Sequence, residues 1–439
     1  MHIRASDIAT AVGGRLVGDD VVVTGASIDS RGVDNGQLFV PIVAARDGHD
    51  FIPAALAAGA AAYLTSRPDP DGSGSAAAIV VDDTALALAD LGRAVRRRLP
   101  DRVVGVTGSV GKTSTKDLLA GVLATSFTTT ASEKSFNNEL GLPLTLVNAD
   151  DETEAVVLEM GARGVGHIEL LCSIGQPTVG VITRVEGVHL ELFGDLAAVA
   201  QAKGELVESL PAAGLAVLNA DDELVAAMAT RTAARTLTYG LTPSADVYAS
   251  EVVLDDQLRA SFRLHTPWGE ADVALGARGE HQVPNALAAA AVGGGLDVSV
   301  DRIAAGLLGA ELSGMRMEMS TGASGVRIIN DAYNANPTSM AAALRSLALL
   351  DARRRVAVLG TMAELGADSD AAHADIAAQA RELGIEVIAV AEPAYGPQVV
   401  HVADVDAATA AVRDLADGDA VLVKGSRVAA LERIAGALA

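Results

Sequence analysis

The stretch VVGVTGSVGKTSTKDLL, residues 103–119, passes from an apolar run through a glycine-bearing turn into a helix. Residues 103–106 have the composition of a buried strand, and helical spacing begins near Ser114. Between them Thr107, Gly108, Ser109, Val110, Gly111, Lys112, Thr113 and Ser114 form a cradle for an anion. Glycines let backbone N–H groups turn towards phosphate, and the helix start adds the positive end of its dipole. Lys112 supplies a point charge for outer phosphates, and the Thr113 hydroxyl is a ligand for Mg²⁺. The G-x-x-x-x-G-K-[ST] pattern is not met literally, because Val106 holds the first glycine position. A glycine turn with a surface lysine is the plainer reading. The register of strand, loop and helix argues against it and for a phosphate site on a parallel sheet.

Composition bounds what surrounds this loop. A chain of 439 residues holds two or three domains, and half of it is apolar, enough for cores of ordinary size. A net charge of −23 argues against a nucleic-acid backbone as partner, which needs a basic surface, and leaves room for a small anionic substrate. The single cysteine, Cys172, has no internal disulfide partner and sits in an apolar stretch, as a core residue of a reducing cytoplasm does. The opening MHIRASDIATAVGG lacks the apolar segment of a signal peptide, and no uncharged apolar run approaches the ~18 residues of a membrane span. The chain is expected to be soluble and cytoplasmic, with no membrane insertion.

Outward from the loop, the pattern divides the chain into three units. Residues 1–98 read as a small α/β unit, with Ser6 capping a short helix to residue 12, a helix at 51–59, strands at 61–64 and 79–81, and a helix from Thr84 capped by the preceding aspartates. Asp82 and Asp83 are alternatively ligands. Residues 99–312 alternate strands (155–158, 178–182, 215–218) with helices (166–173, 196–209), the signature of a parallel sheet with ligands at its carboxyl edge. A β-rich excursion at 236–275 turns at residues 265–269, and an alanine-rich helix follows at 285–292. Residues 313–439 form a third α/β unit with strands at 326–329, 356–359, 387–390 and 420–423. The join falls at Leu312, Ser313 and Gly314.

Several residues on these strand ends carry chemistry. Glu159 closes an apolar strand beside the loop, where Mg²⁺ on Thr113 needs a second oxygen ligand. The segment TRVEGVHLELFG, residues 183–194, lies on the same edge and offers Glu186, His189 and Glu191 for metal or substrate. Lys203, taken alone, is a surface lysine or an ion-pair partner of Glu205 or Glu208. Asn137 and Asn138 belong to a polar segment that either orients a ligand or is an ordinary loop. In NDAYNANP, residues 330–337, Asn336 with Pro337 reads as a helix cap, leaving Asp331 and Tyr333 for a nucleotide or product.

TGSVGKTS (107–114), SFNNELGLPLTL (135–146), EMGARGVGHI (159–168), HLELFG (189–194), AKGEL (202–206), NALAAAA (285–291) and DAYNANPTSM (331–340) recur in order, preceded by SIDSR (27–31) and DGHDF (47–51). Together they resemble the Mur ligase family over nearly the whole chain. The loop and the HLE segment are common to the family, whereas DAYNANP and SFNNELGLP resemble its D-alanyl-D-alanine-adding branch. The resemblance implies an N-terminal UDP-sugar domain, a central P-loop ATPase domain and a C-terminal Rossmann-like domain. It implies an ATP-dependent amide ligase of peptidoglycan precursor synthesis. Its substrates are UDP-N-acetylmuramoyl-tripeptide and D-alanyl-D-alanine, its cofactors are ATP and Mg²⁺, and it acts through an acyl phosphate; the chain itself is expected to be a monomer.

By the same resemblance Lys112, Glu159, His189 and Lys203 are catalytic. Thr113, Glu159 and His189 hold Mg²⁺ together with Lys203, which is carbamylated. Asn285 lies near adenine, Arg316 reaches the ATP phosphates, and Asp331 is a nucleotide-side acid. Ser30, Arg31, Asp47 and His49 match the uridine pocket, with Asn137, Asn138, Tyr333 and Asn336 at substrate. The chain departs from the family at Arg184-Val185-Glu186, where relatives carry N-x-G, and at His281-Gln282-Val283-Pro284-Asn285, where they carry H-N-x-x-N. Competing readings are a ligase of the same fold adding another amino acid, a P-loop regulatory ATPase, and a non-catalytic sugar-nucleotide binder.

Overall fold

The computed structural model describes residues 2–67, 76–133, 136–187 and 193–439. His189 and Glu191 lie outside these residues.

The strand Val103–Thr107 is buried at every position and sits inside a nine-stranded sheet. Its Val-rich sequence fits a parallel strand covered on both faces. From one edge the order is Thr129–Ala131, Ala155–Glu159, Val103–Thr107, Val179–Ile182, Leu215–Asn219, Arg235–Gly240 and Val247–Leu254, all parallel. Arg259–Thr266 and Gly269–Arg278 then complete it antiparallel. The excursion read at 236–275 is therefore no separate element but the far side of the central sheet. The helix Val300–Gly309 buries Ile303 and Leu307 in the same cluster as Val273 and Leu275. Sequence reading passed over that helix, which is short and bounded by small residues.

The first unit carries the sheet Arg15–Val17, Ala77–Val80, Ala62–Thr65, Leu38–Phe39 and Ala26–Ser27. Asp83 caps the helix Thr84–Arg96 by accepting from the Ala85 and Leu86 N–H groups at 2.8 and 2.9 Å. Ser6 does not cap: it lies within the helix Ala5–Ala11, and the Asp20 carboxylate takes both its N–H and its hydroxyl at 3.0 Å. This unit is bound tightly to helices of the central domain. Arg96 donates to the carbonyls of Gly175 at 2.9 Å and Gln176 at 3.1 Å. Asn148 pairs with the edge strand like another backbone, accepting from Ala26 N–H at 2.7 Å and donating to its carbonyl at 3.0 Å.

The third sheet has the order Glu318–Thr321, Arg327–Asn330, Asp419–Lys424, Arg354–Leu359, Glu386–Val390 and Val400–Val402, parallel except for its first strand. Apolar clusters cover both of its faces. Its carboxyl edge faces that of the central sheet, and the P-loop helix Lys112–Ala124 anchors the link between them, with Asp117 Oδ2 accepting from Ser313 N–H at 2.8 Å. Among the described residues no helix is long and apolar enough to cross a membrane.

Candidate active site

A cavity of about 960 Å³ opens where the carboxyl edges of the central and third sheets meet. It gathers Gly108–Ser114, Asn137, Asn138, Glu159, Lys203 and Asn285 from the central domain, and Arg316, Asp331, Tyr333 and Asn336 from the third.

The loop geometry explains its glycines. Gly108 has φ 146° and Gly111 φ 85°, the half of φ space that favours glycine. A Cβ on Gly111 would stand 2.5 Å from Asn285 Oδ1. Gly111→Ala is accordingly expected to cost about 1–3 kcal/mol in backbone strain and to weaken binding of a non-hydrolysable ATP analogue, measured by calorimetry. Lys112 Nζ donates back to Gly108 O at 2.6 Å and Ser109 O at 3.2 Å. Burial lowers the Lys112 pKa, Glu159 opposes that, and Arg316 adds to it. Arg316 thus acts electrostatically on Lys112 from the other domain.

The segment after Val179–Ile182 straps the loop down. Thr183 Oγ1 donates to Val110 O at 2.6 Å, Ser109 N–H donates to Arg184 O at 2.7 Å, and Ser109 Oγ donates to Glu186 O at 2.9 Å. Arg184 and Glu186 enter these bonds through their backbone carbonyls, so the departure at Arg184-Val185-Glu186 leaves the strap intact and adds an Arg184–Glu186 ion pair at 3.1 Å. Sequence reading missed Thr183 as a site residue. Its place directly after an apolar strand was the signal.

Glu159 is 1% exposed, and its Oε1 accepts from Asn137 Nδ2 at 2.8 Å. Its Oε2 is buried without a hydrogen-bond partner among the described residues. A carboxylate oxygen left so carries a desolvation penalty that a cation would remove. The donor set suits a hard ion: Glu159 and Thr113, which line the same cavity, offer oxygen. Among the described residues no cluster of three His, Cys, Asp or Glu side chains supplies a fuller shell.

Lys203 is 3% exposed, on the helix Leu196–Glu208. Burial first, then the charge of Lys112, pushes its amine well below the ordinary lysine range. The surface-pair alternative finds no support in its neighbours. Glu205 accepts from Gly166 N–H at 2.6 Å and Glu169 N–H at 3.0 Å, and Glu208 pairs with Arg231 at 2.8 Å.

At the start of the helix Gln282–Gly295, Thr115 Oγ1 donates to Asn285 Oδ1 at 3.3 Å, and Asn285 Nδ2 donates to Gln282 Oε1 at 2.9 Å. That leaves the Gln282 amide nitrogen to donate to His281 Nε2 at 3.2 Å. Gln282 thereby fills the departure from H-N-x-x-N with a satisfied, buried amide. Desolvation brings the His281 pKa down to about 4, so the ring is neutral at pH 7.

On the third-domain wall the Arg316 guanidinium lies 4.2 Å from the Tyr333 ring centroid. Asp331 accepts from Lys424 Nζ at 2.6 Å and from Met317 N–H at 3.1 Å. Lys424 was not singled out in the sequence. Asn336 is engaged in the cap its sequence suggests, accepting from Ser339 N–H at 2.9 Å in a capping box on the helix Pro337–Leu349.

Other expected site residues lie off this cavity. Thr107 is fully buried and donates its hydroxyl to Met160 O at 2.8 Å. In the first unit His49 Nε2 accepts from Ser66 N–H at 3.0 Å, so its Nδ1–H donates to Asp47, 2.6 Å away. His49 N–H, the His49 ring and Arg67 hold the Asp47 carboxyl far below its ordinary range. Ser30 and Arg31 are on another loop, where Arg31 pairs with Asp29 at 2.9 Å. Cys172 is buried in the core, where desolvation pushes its thiol up to about 12.

A phosphate loop on one parallel sheet, with an arginine presented to it from a second, defines a nucleotide-dependent enzyme whose site is shared between domains. Comparison with known proteins agrees. Family models match in three places: the Mur ligase family catalytic domain at residues 22–96, the Mur ligase middle domain at 106–293 and the Mur ligase glutamate ligase domain at 315–427. The UDP-N-acetylmuramoyl-tripeptide–D-alanyl-D-alanine ligase of Mycobacterium tuberculosis is 41% identical across 100% of this chain and 98% of its own length. That of Escherichia coli is 36% identical with the same coverage. The crystal structure of MurF from Acinetobacter baumannii superposes with a TM-score of 0.88 at 30% identity, over 100% of this chain and 99% of that one. MurF from Thermotoga maritima, solved with ADP, gives 0.82 at 28% identity over 95% and 97%. The chain belongs to the Mur ligase family.

Proposed function

We propose that this chain joins D-alanyl-D-alanine to UDP-N-acetylmuramoyl-tripeptide with ATP as energy source, in the cytoplasmic synthesis of peptidoglycan precursors. The carrying observation is the cavity itself, which brings the phosphate loop, the orphaned Glu159 oxygen and Arg316 together from two domains of one chain. The relatives that match end to end bear the name of this activity.

The residues suit acyl activation followed by aminolysis. Lys112 and the loop amides hold the outer phosphates of ATP, and Arg316 adds a second positive charge from the opposite wall. A terminal carboxylate oxygen of the tripeptide attacks the γ-phosphorus, and ADP departs, leaving an acyl phosphate. The dipeptide amine then attacks the carbonyl carbon. The tetrahedral intermediate expels inorganic phosphate, the nitrogen loses its extra proton, and an amide remains. Fixed positive charge lowers the barrier most where negative charge accumulates, on the transferring phosphoryl group. Mg²⁺, when bound, neutralises phosphate charge. Glu159, Thr113 and a carbamylated Lys203 are the residues that would hold it, with His189 as expected from the family. Walls from a single chain suffice, in keeping with a monomer.

The test is to supply ATP, Mg²⁺, the UDP-linked tripeptide and the dipeptide, and to weigh the product while following ADP release. ADP release that requires both substrates, with a product heavier by the dipeptide less water, is the expected result. Release without an acceptor would favour a regulatory ATPase. A product formed with a single amino acid and not the dipeptide would favour another ligase of this family.

A further inference from the structure

Lys424 closes the strand Asp419–Lys424 in the interior of the third sheet and is 2% exposed. Its ammonium donates to Asp331 Oδ2 at 2.6 Å, to Asn334 O at 2.9 Å and to Asp331 O at 3.4 Å. All three contacts fall within one loop, residues 331–334. That loop is in turn stitched to the segment carrying Arg316. Asp331 Oδ1 accepts from Met317 N–H at 3.1 Å, and Tyr333 N–H donates to Met315 O at 3.3 Å. The two bonds bracket Arg316 on either side. Met315 and Met317 have φ of 59° and 52°, left-handed values that bulky residues adopt only when their surroundings enforce them. At its start the same segment is tied to the P-loop helix through Ser313 and Asp117. Arg316 therefore projects from a strained turn whose geometry depends on the Asp331 carboxylate, and that carboxylate is neutralised and oriented by Lys424.

We propose that Lys424 is a positioning residue: through Asp331 it holds the 315–317 turn in the conformation that aims Arg316 at the phosphate cradle. The inference rests on Arg316 serving ATP, as in the reaction assigned above. It accounts for a buried lysine that no step of that reaction uses, and for two left-handed methionines on either side of one functional arginine. A positioning role differs from direct contact with ATP in what happens when Arg316 is absent. Without Arg316 there is nothing left to aim, and loss of Lys424 then adds little.

The experiment is a double-mutant cycle on Lys424→Met and Arg316→Ala in the full chain. It is read as affinity for the β,γ-imido analogue of ATP by calorimetry and as kcat/KM for ligation. Lys424→Met is expected to weaken both readouts by roughly tenfold or more in the parent chain, and by no more than about twofold in the Arg316→Ala background. Losses that multiply in the double variant would overturn the proposal, whether Lys424 touches ATP itself or merely supports the fold. Should Lys424→Met fail to fold, the cycle is run with Lys424→Gln, which keeps a donor for Asp331 while removing the charge, and the same criterion applies. Analogue affinity is measured without the ligation substrates. A parent chain that binds the analogue but forms no amide would sink the assigned reaction and leave the coupling readable.

Discussion

Lys112→Ala is expected to lower kcat/KM on the order of 10²–10³-fold, the range seen when one preorganised electrostatic donor is removed from a water-poor site, while the fold stays intact. The side chain belongs to the loop and not to a core. Its hydrogen bonds in the free protein go to the loop carbonyls of Gly108 and Ser109. Losing two such bonds at a half-buried position is worth about 1–3 kcal/mol at most, and solvent replaces part of it. Catalysis has no such substitute, because Lys112 lies within the cradle itself, with Arg316 placing a second positive charge on the opposite wall. Retention of more than about a tenth of parent kcat/KM, equivalent to a loss under ~1.4 kcal/mol of transition-state stabilisation, would remove Lys112 from the phosphate site. Circular dichroism and thermal unfolding of the same sample separate a misfolded variant from an inactive one.

Lys203→Arg is expected to abolish activity almost completely, and bicarbonate depletion is expected to slow the parent enzyme reversibly. An ammonium at 3% exposure beside Lys112 is disfavoured twice, by desolvation and by like charge, so the amine pKa falls well below its usual value. The sign matters: a lowered pKa means that at neutral pH the amine is more often neutral, and the neutral amine is the form that reacts with CO₂. The nitrogen–carbon bond forms, a proton leaves to solvent, and an anionic carbamate replaces a cation. Its oxygens complement the orphaned Glu159 oxygen as ligands for a hard ion. Arginine stays charged and forms no carbamate. Ordinary kcat in the Lys203→Arg variant, or a rate indifferent to CO₂ with bare lysine in the mass of the intact active protein, would return Lys203 to a packing role.

The phosphate loop and the strand ends around it were legible because their signals are local. An apolar run of four residues, a glycine-bearing turn and a helix start lie within one stretch, and Glu159 ends the neighbouring strand. The bland alternatives were legible too: Asp83 and Asn336 do cap helices. Ser6 misled because a serine before a short helix resembles a cap, whereas the actual acceptor, Asp20, lies 14 residues away. Lys424 escaped notice for a similar reason. It is a single lysine after an apolar strand, and its partner Asp331 is 93 residues distant. The continuity of the central sheet through residues 235–278 was hidden because hairpin patterning gives the pairing within the hairpin, not what its first strand joins. At Arg184-Val185-Glu186 the side-chain departure looked more consequential than it is, since Arg184 and Glu186 hold the loop through backbone carbonyls, while the side chains that strap it are those of Thr183 and Ser109.

The chemistry assigned to the cavity is tested most directly by isotope transfer. The terminal carboxylate of the UDP-linked tripeptide is labelled with ¹⁸O, and one turnover with ATP and D-alanyl-D-alanine is followed by mass spectrometry of the inorganic phosphate. If an acyl phosphate forms, one carboxylate oxygen becomes the bridging atom and leaves with phosphate. Each amide made then yields one singly labelled phosphate, and the other label stays in the new amide carbonyl. Amide formation accompanied by unlabelled phosphate would contradict activation of the carboxylate at the Lys112 cradle.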